Sequence, residues 1–233
     1  MRNKLTFLIH FLTASGACFA LLATIAVANR QWSDMFLWLI AAQVIDSIDG
    51  PLARHFELKK RYPSWDGSSL DFVIDYATYV FIPAFALVHS GYFPEIYGYL
   101  LGFVIVLTGG LYFADDSMKT DNNAFLGFPA VWNCVVFYLF VFQVPTGIAG
   151  VIIILLAIAQ FVPLDFVHPV RVKKLRWISI ALTFVWLAIS MRVIFADMSA
   201  TSLDKGILVL TGAYFFFVGM ILQYMRKSKS PAS

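Results

Sequence analysis

Long apolar runs separated by short polar clusters dominate the chain. Runs of about 20 apolar residues, the length a helix needs to cross bilayer hydrocarbon, fall at 5–28, 33–53, 68–89, 94–114, 127–144, 147–167, 174–195 and 203–225. The pattern predicts an all-α, polytopic membrane protein with about eight transmembrane helices. The second run carries Asp46 and Asp49 near its end, which is tolerable only where the two face the protein interior or a water-filled cavity. The first run follows Arg2 and Lys4 and contains S-G-A-C-F-A. Its apolar stretch exceeds the roughly 7–15 residues of a signal-peptide core, and Asn29 and Arg30 close it, so a retained helix is expected.

Composition agrees with this reading. Of 233 residues, 60% are hydrophobic and 13% charged, whereas ordinary globular chains carry about 25% charged residues, so a soluble domain is excluded. A net charge of +3, without a basic stripe interleaved with base-stacking aromatics, points to no nucleic-acid partner. Cys18 and Cys134 fall in apolar runs with no pair or metal spacing, so two buried thiols are expected. With alternate loops assigned to one side, 14 Lys and Arg fall on the side of the termini and 3 on the other, which predicts cytoplasmic termini. The absence of repeats and linkers makes 1–233 one integral membrane domain.

The chemistry concentrates between Asp46 and Asp75, which holds 6 of the 14 acidic residues. On helices, Asp46 and Asp49 share one face, as do Asp71 and Asp75. Two antiparallel helices would aim all four carboxylates at one spot. Such a cluster in low dielectric needs protons or a cation, and all-oxygen ligands favour a hard ion, Mg²⁺ or Mn²⁺, with up to two ions as the natural occupancy. Arg54, two turns beyond Asp46, adds a fixed charge for a phosphate. Gly50 and Gly67, lacking side chains, would let a ligand lie against the backbone. The bland alternative is a salt-bridge cluster among helix ends. Few basic residues lie nearby, and ionisable residues inside membranes are functional by default, so the metal reading is preferred.

Asp46, Asp49, Gly50, Ala53, Arg54, Gly67, Asp71 and Asp75 form D-x-x-D-G-x-x-A-R, a spacer, and G-x-x-x-D-x-x-x-D. This resembles the signature of the CDP-alcohol phosphotransferases, integral membrane enzymes that make phospholipid head groups. The spacer, His55 to Asp66, is twelve residues where that family usually has eight. The longer spacer and eight expected spans are most like the bacterial phosphatidylcholine synthases. The resemblance implies a six-helix catalytic core over 1–167 and two additional helices with a cytoplasmic tail over 168–233. It implies CDP-diacylglycerol and choline as substrates, a site on the cytoplasmic side of the bacterial inner membrane, and a homodimer. It assigns Asp46, Asp49, Asp71 and Asp75 to metal, Asp75 also to catalysis as general base, and Gly50, Ala53, Arg54 and Gly67 to the CDP moiety.

Other polar segments carry weaker expectations. Phe125, Gly127 and Pro129 form an F-x-G-x-P element similar to one in bacterial phosphatidylserine synthases; Asp115 and Asp116 beside it read as loop anchors. Arg171 and Lys173, in a basic loop, either anchor a helix near anionic lipid or hold the phosphates of the lipid-linked nucleotide. His10, His55, His89 and His168 show no ligand spacing and are expected to be satisfied polar side chains. Arg192 reads as a snorkelling anchor. A quaternary ammonium donates no hydrogen bond from nitrogen, so Tyr76, Tyr79, Tyr112, Trp132 and Tyr138 are candidates for a cation–π cage, against packing as the ordinary alternative.

Competing readings are a serine-type acceptor, CDP-choline with diacylglycerol, an aromatic prenyltransferase, and a carboxylate-based cation transporter. The G-x-x-A-R element and the crowding of the acids within 30 residues at one membrane face oppose the last two.

Overall fold

The computed structural model describes residues 4–62, 64–115, 125–166 and 175–227. It is an all-α bundle: α1 (Lys4–Ala28), α2 (Trp32–His55), α3 (Leu58–Arg61), α4 (Gly67–Asp75), a π-helical turn (Tyr76–Phe81), α5 (Ile82–His89), α6 (Glu95–Ala114), α7 (Trp132–Phe142), α8 (Thr146–Ala159), α9 (Arg176–Phe195) and α10 (Ser202–Lys227). The sole pairing of extended backbone among the described residues joins β1 (Phe125–Leu126) to β2 (Asp165–Phe166), antiparallel. The chain is therefore a multi-pass membrane protein. Leu21, Phe103, Leu107, Leu111 and Leu155 stand exposed on outer faces, as side chains that meet lipid do.

Each of the eight expected spans contains a helix, but two are shorter than a span needs. Six are long and apolar enough to cross, counting α4, the π turn and α5 as one continuous rod. The other two, α7 and α8, have 11 and 14 residues. At 1.5 Å per residue they reach about 17 and 21 Å, well under the roughly 30 Å of hydrocarbon. The apolar sequence before α7 forms irregular backbone that folds onto the end of α8. There the Gly127 N–H donates to Leu164 O (2.8 Å) and the Phe128 N–H to Ala159 O (2.9 Å). Non-helical backbone within apolar sequence is tolerated where protein groups satisfy it, as here. Gly127 has φ +75°, and a Cβ there would stand 2.0 Å from Gln160 O. With its amide oriented to satisfy both ends, Gln160 donates to Thr108 Oγ1 (3.1 Å) and accepts from Trp132 Nε1 (3.0 Å), pinning α6, α7 and α8 together.

The helices around the acids pack closely through small residues. A Cβ on Gly16 would come 2.9 Å from Ile74 Cγ2, so α1 lies tight against α4. Ala20, Ala23 and Val27 of α1 and Met35, Phe36 and Leu39 of α2 are buried in the main core. The described part of the spacer is folded rather than loose. It contains α3, whose Leu58 packs with Ile9 and Tyr62 and, around them, Phe7, Leu52 and Ala53.

Three sequence expectations are corrected. Cys18 is exposed, because α1 turns that face outward at the bundle edge; Cys134 is half-buried. Arg192 is more than a snorkelling anchor: it donates to Asp204, which also accepts from Thr201 N (2.8 Å) and Thr201 Oγ1 (2.6 Å), so one carboxylate caps α10 and ties it to α9. His10 is not satisfied: it is buried, and its Nε2 has no hydrogen-bond partner among the described residues.

Candidate active site

Asp46 and Asp49 stand three residues apart near the end of α2, and Asp71 and Asp75 four apart on α4. The two helices bring one oxygen each of Asp46, Asp49 and Asp71 within 4.8 Å of one another. Asp49 is buried and the other two half-buried. Asp75 is outside this trio but lines the same cleft, which Thr13 and Gly16 of α1 close from the far side. That wall is a contribution of α1 that no motif announced.

Three ionised carboxylates at this spacing repel by at least about 3 kcal/mol per pair at an effective dielectric near 20. A divalent cation with oxygen ligands relieves that repulsion, and three carboxylates on two rigid helices suit Mg²⁺ or Mn²⁺, whose remaining positions can take water or phosphate oxygens. The donor set is therefore compatible with a divalent cation.

The helix carrying Asp71 and Asp75 starts at a defined cap. The Asp66 carboxylate accepts from Ser68 N (3.0 Å) and Ser69 Oγ (2.6 Å). The bonds from the Ser69 side chain and backbone, helped by the Ser68 backbone and the charge of Lys59, hold Asp66 below the usual carboxylate range against an opposing desolvation. At the other end, the ladder passes into the π turn, where the Ile82 N–H reaches Ala77 O. Pro83 explains the change: it has no N–H for the Tyr79 carbonyl and its ring crowds that carbonyl. Within this turn the Tyr79 hydroxyl donates to Asp46 Oδ2 at 3.3 Å.

Arg54 is exposed and folds back over Gly50. A Cβ at Gly50 would stand 3.4 Å from Arg54 Nη1, so a bare backbone at 50 keeps the guanidinium close to the end of α2 that carries the acids. Ala53 packs against the Ile9, Leu58 and Tyr62 cluster. Gly67 sits beside His10, with a Cβ there 3.6 Å from His10 Cε1. Arg171, Lys173, His168 and Asp116 lie outside the described residues.

The five aromatic candidates do not close into one cage. Tyr76 donates to Val106 O (3.0 Å). Tyr138 donates to Leu208 O (2.7 Å), accepts from Trp186 Nε1 (3.0 Å) and stacks on Phe142. Trp132 is fully buried against Phe128 and bonded to Gln160. Tyr112 is buried in the main core, and Tyr79 reaches the acidic cleft.

No protein-family model matches the chain. Named proteins do. A phosphatidylcholine synthase of Rhizobium meliloti (strain 1021) is 42% identical over 221 residues, covering 95% of this chain and 92% of that protein. One from Pseudomonas aeruginosa is 38% identical over 214 residues, with 92% and 89% covered. One from Borreliella burgdorferi is 31% identical over 227 residues, with 97% of each chain covered. Similarity at these levels along nearly the whole chain, with the acidic cluster assembled between α2 and α4, means that the chain belongs to the phosphatidylcholine synthase family.

Proposed function

We propose that this protein transfers the phosphatidyl group of CDP-diacylglycerol to choline, releasing CMP and forming phosphatidylcholine. The observation that carries the proposal is the convergence of Asp46, Asp49 and Asp71 oxygens within 4.8 Å at the ends of two membrane helices. Bound there, one or two Mn²⁺ or Mg²⁺ ions would offset the charge of the pyrophosphate and of departing CMP. Asp46, Asp49 and Asp71 would hold them, with Asp75 as a further ligand when two bind.

Asp75 lines the cleft from outside the trio, and takes the proton of the choline hydroxyl as general base. The choline oxygen then attacks the phosphorus that carries diacylglycerol. The bond from that phosphorus to the bridging pyrophosphate oxygen breaks, and CMP departs, in a single in-line displacement. Arg54 presents a guanidinium fork to the phosphates, held near the acids because Gly50 leaves it room. Gly67 and Ala53 keep the cytidine end of the site compact through their contacts with His10 and the Tyr62 cluster. The distribution of Lys and Arg supports cytoplasmic termini and a cytoplasmic site in the bacterial inner membrane. A homodimer completes the proposal.

The test supplies purified protein with CDP-diacylglycerol and Mn²⁺, and compares choline, serine, inositol and glycerol 3-phosphate as acceptors. Choline alone should give CMP in step with phospholipid. Equal turnover with serine would replace the reading by a serine-type transferase, and metal-independent release would remove the role of the acidic trio.

A further inference from the structure

His10 is 7% exposed, and its Nε2 has no hydrogen-bond partner among the described residues. A buried imidazole nitrogen left bare costs free energy, so the position is built for a partner from outside the chain. Aromatic rings surround it. Phe7 and Tyr62 meet the imidazole at steep angles, with centroids 5.5 and 6.0 Å away, and the half-exposed Trp65 lies over it at 5.9 Å with planes 29° apart. At that separation the stack is offset, so part of the indole face stays uncovered beside the imidazole.

Three helices place this nest against the acidic cleft. On α1, His10 comes one helical turn before Thr13, which lines the cleft. On α4, Gly67 comes one turn before Asp71, and a Cβ at Gly67 would stand 3.6 Å from His10 Cε1. On α2, Ala53 follows Asp49 by one turn and packs against the cluster that holds Tyr62. Each helix thus sets the nest about 5–6 Å of helix rise from the carboxylates, and all three on the same side of them. A ribose separates a base from its phosphate by a comparable length. A nucleotide whose phosphates lie at the carboxylates therefore brings its base to the level of His10.

We propose that His10 and Trp65 recognise the base of the nucleotide donor, an inference that rests on the CDP-diacylglycerol reading above. Nε2 hydrogen-bonds the edge of the pyrimidine, and the open part of the Trp65 face stacks on its ring. An imidazole nitrogen donates or accepts according to its tautomer, and the edge of cytosine carries an amine donor beside ring-nitrogen and carbonyl acceptors, so either tautomer finds a partner there. Stacking on an aromatic side chain is a general way to hold a base. An acyl chain in the same place would leave Nε2 facing hydrocarbon. Trp65 stands on irregular backbone between α3 and α4, and it is the ring that shifts to admit the base, an adjustment of the kind side chains commonly make on binding. The spacer between Arg54 and Gly67 thereby has a task, which is to deliver Trp65 to the nucleotide.

The test measures Mn²⁺-dependent binding of CMP, and of ribose 5-phosphate, which lacks the base, to the purified full-length protein, and records a melting temperature for each variant. His10→Leu should weaken CMP binding about tenfold and Trp65→Ala at least about fivefold, while ribose 5-phosphate stays within about twofold of wild type in both. His10→Gln keeps a hydrogen-bonding group and should fall between wild type and His10→Leu. Because His10→Leu removes a bare polar atom from apolar surroundings, it should melt at or above the wild-type temperature, which loss of a purely structural histidine would not do. Wild-type CMP affinity in His10→Leu, an equal loss for CMP and ribose 5-phosphate, or a melting temperature that falls together with the affinity would overturn the base assignment and leave the donor reading standing. A wild type without Mn²⁺-dependent CMP binding would overturn the donor reading, and this inference with it.

Discussion

The Tyr79 hydroxyl donates to Asp46 Oδ2 across 3.3 Å, linking the helix turn after Asp75 to the first carboxylate of the trio. The contact depends on the π turn, because the extra residue that Pro83 forces into the ladder rotates Tyr79 relative to Asp75. Tyr79→Phe removes the donor and keeps the ring. A hydrogen bond of this kind contributes about 1 kcal/mol, so the Mn²⁺ concentration for half-maximal activity should rise roughly fivefold. An unchanged Mn²⁺ titration would show that Tyr79 does not hold Asp46 for the metal.

Gly50 and Arg54 form the next linked pair. Gly50→Ala places a methyl 3.4 Å from Arg54 Nη1, in van der Waals contact with the guanidinium, and narrows the positions it can take at the end of α2. The KM for CDP-diacylglycerol should rise several-fold with the choline KM little changed. Arg54→Lys should be impaired more, since an ammonium cannot reproduce the two-pronged hold on phosphate. Wild-type KM for CDP-diacylglycerol in Arg54→Lys would make this arginine structural.

Asp66 gives the site a pH signature. Its bonds from Ser69 and Ser68 hold its folded pKa below the unfolded value of about 3.9, so its capping stabilises α4 fully above that pH and is lost as pH falls through the lower folded pKa. Asp66→Ala should lower thermal stability at neutral pH, and the difference from wild type should shrink below about pH 4. A constant difference across that range would mean that the cap does not act through its ionised form.

Gly127→Ala tests the packing of the chain before α7 onto the end of α8. The new Cβ would meet Gln160 O at 2.0 Å and sit at φ +75°. The left-handed conformation alone costs about 1 kcal/mol or more for a non-glycine residue, and the clash adds to it. The variant should show a lower melting temperature in detergent and reduced yield. Wild-type melting would contradict the packing of Gly127 on α8.

The acids were legible in the sequence because their spacing and the helical period place them on shared faces before any tertiary contact is known. Asp46, Asp49 and Asp71 converge as that spacing requires. The apolar runs gave the helices for the same reason. They overran α7 and α8, since hydropathy at 127–131 is as high as in a helix while the backbone there is fixed by long-range bonds to Ala159 and Leu164. The aromatic candidates were chosen by nearness along the chain. Placement across helices is set elsewhere: Tyr138 pairs with Trp186 and Leu208, and the rings that share a cleft, Phe36, Phe137 and Trp186, come from three distant segments. Tyr79 reached Asp46 through a one-residue change in helical pitch that no periodic reading contains.

Replacing Asp75 by Asn tests the account most directly, by measuring both choline-dependent CMP release and Mn²⁺-dependent binding of CDP-diacylglycerol in the same purified variant. The amide keeps the shape of the side chain but cannot accept the hydroxyl proton, and the Asp46, Asp49 and Asp71 trio is left intact. Turnover should fall by at least about a hundredfold while nucleotide binding stays within a few-fold of wild type. Turnover near the wild-type rate, or a loss of binding as large as the loss of rate, would contradict the assignment of Asp75 as the base.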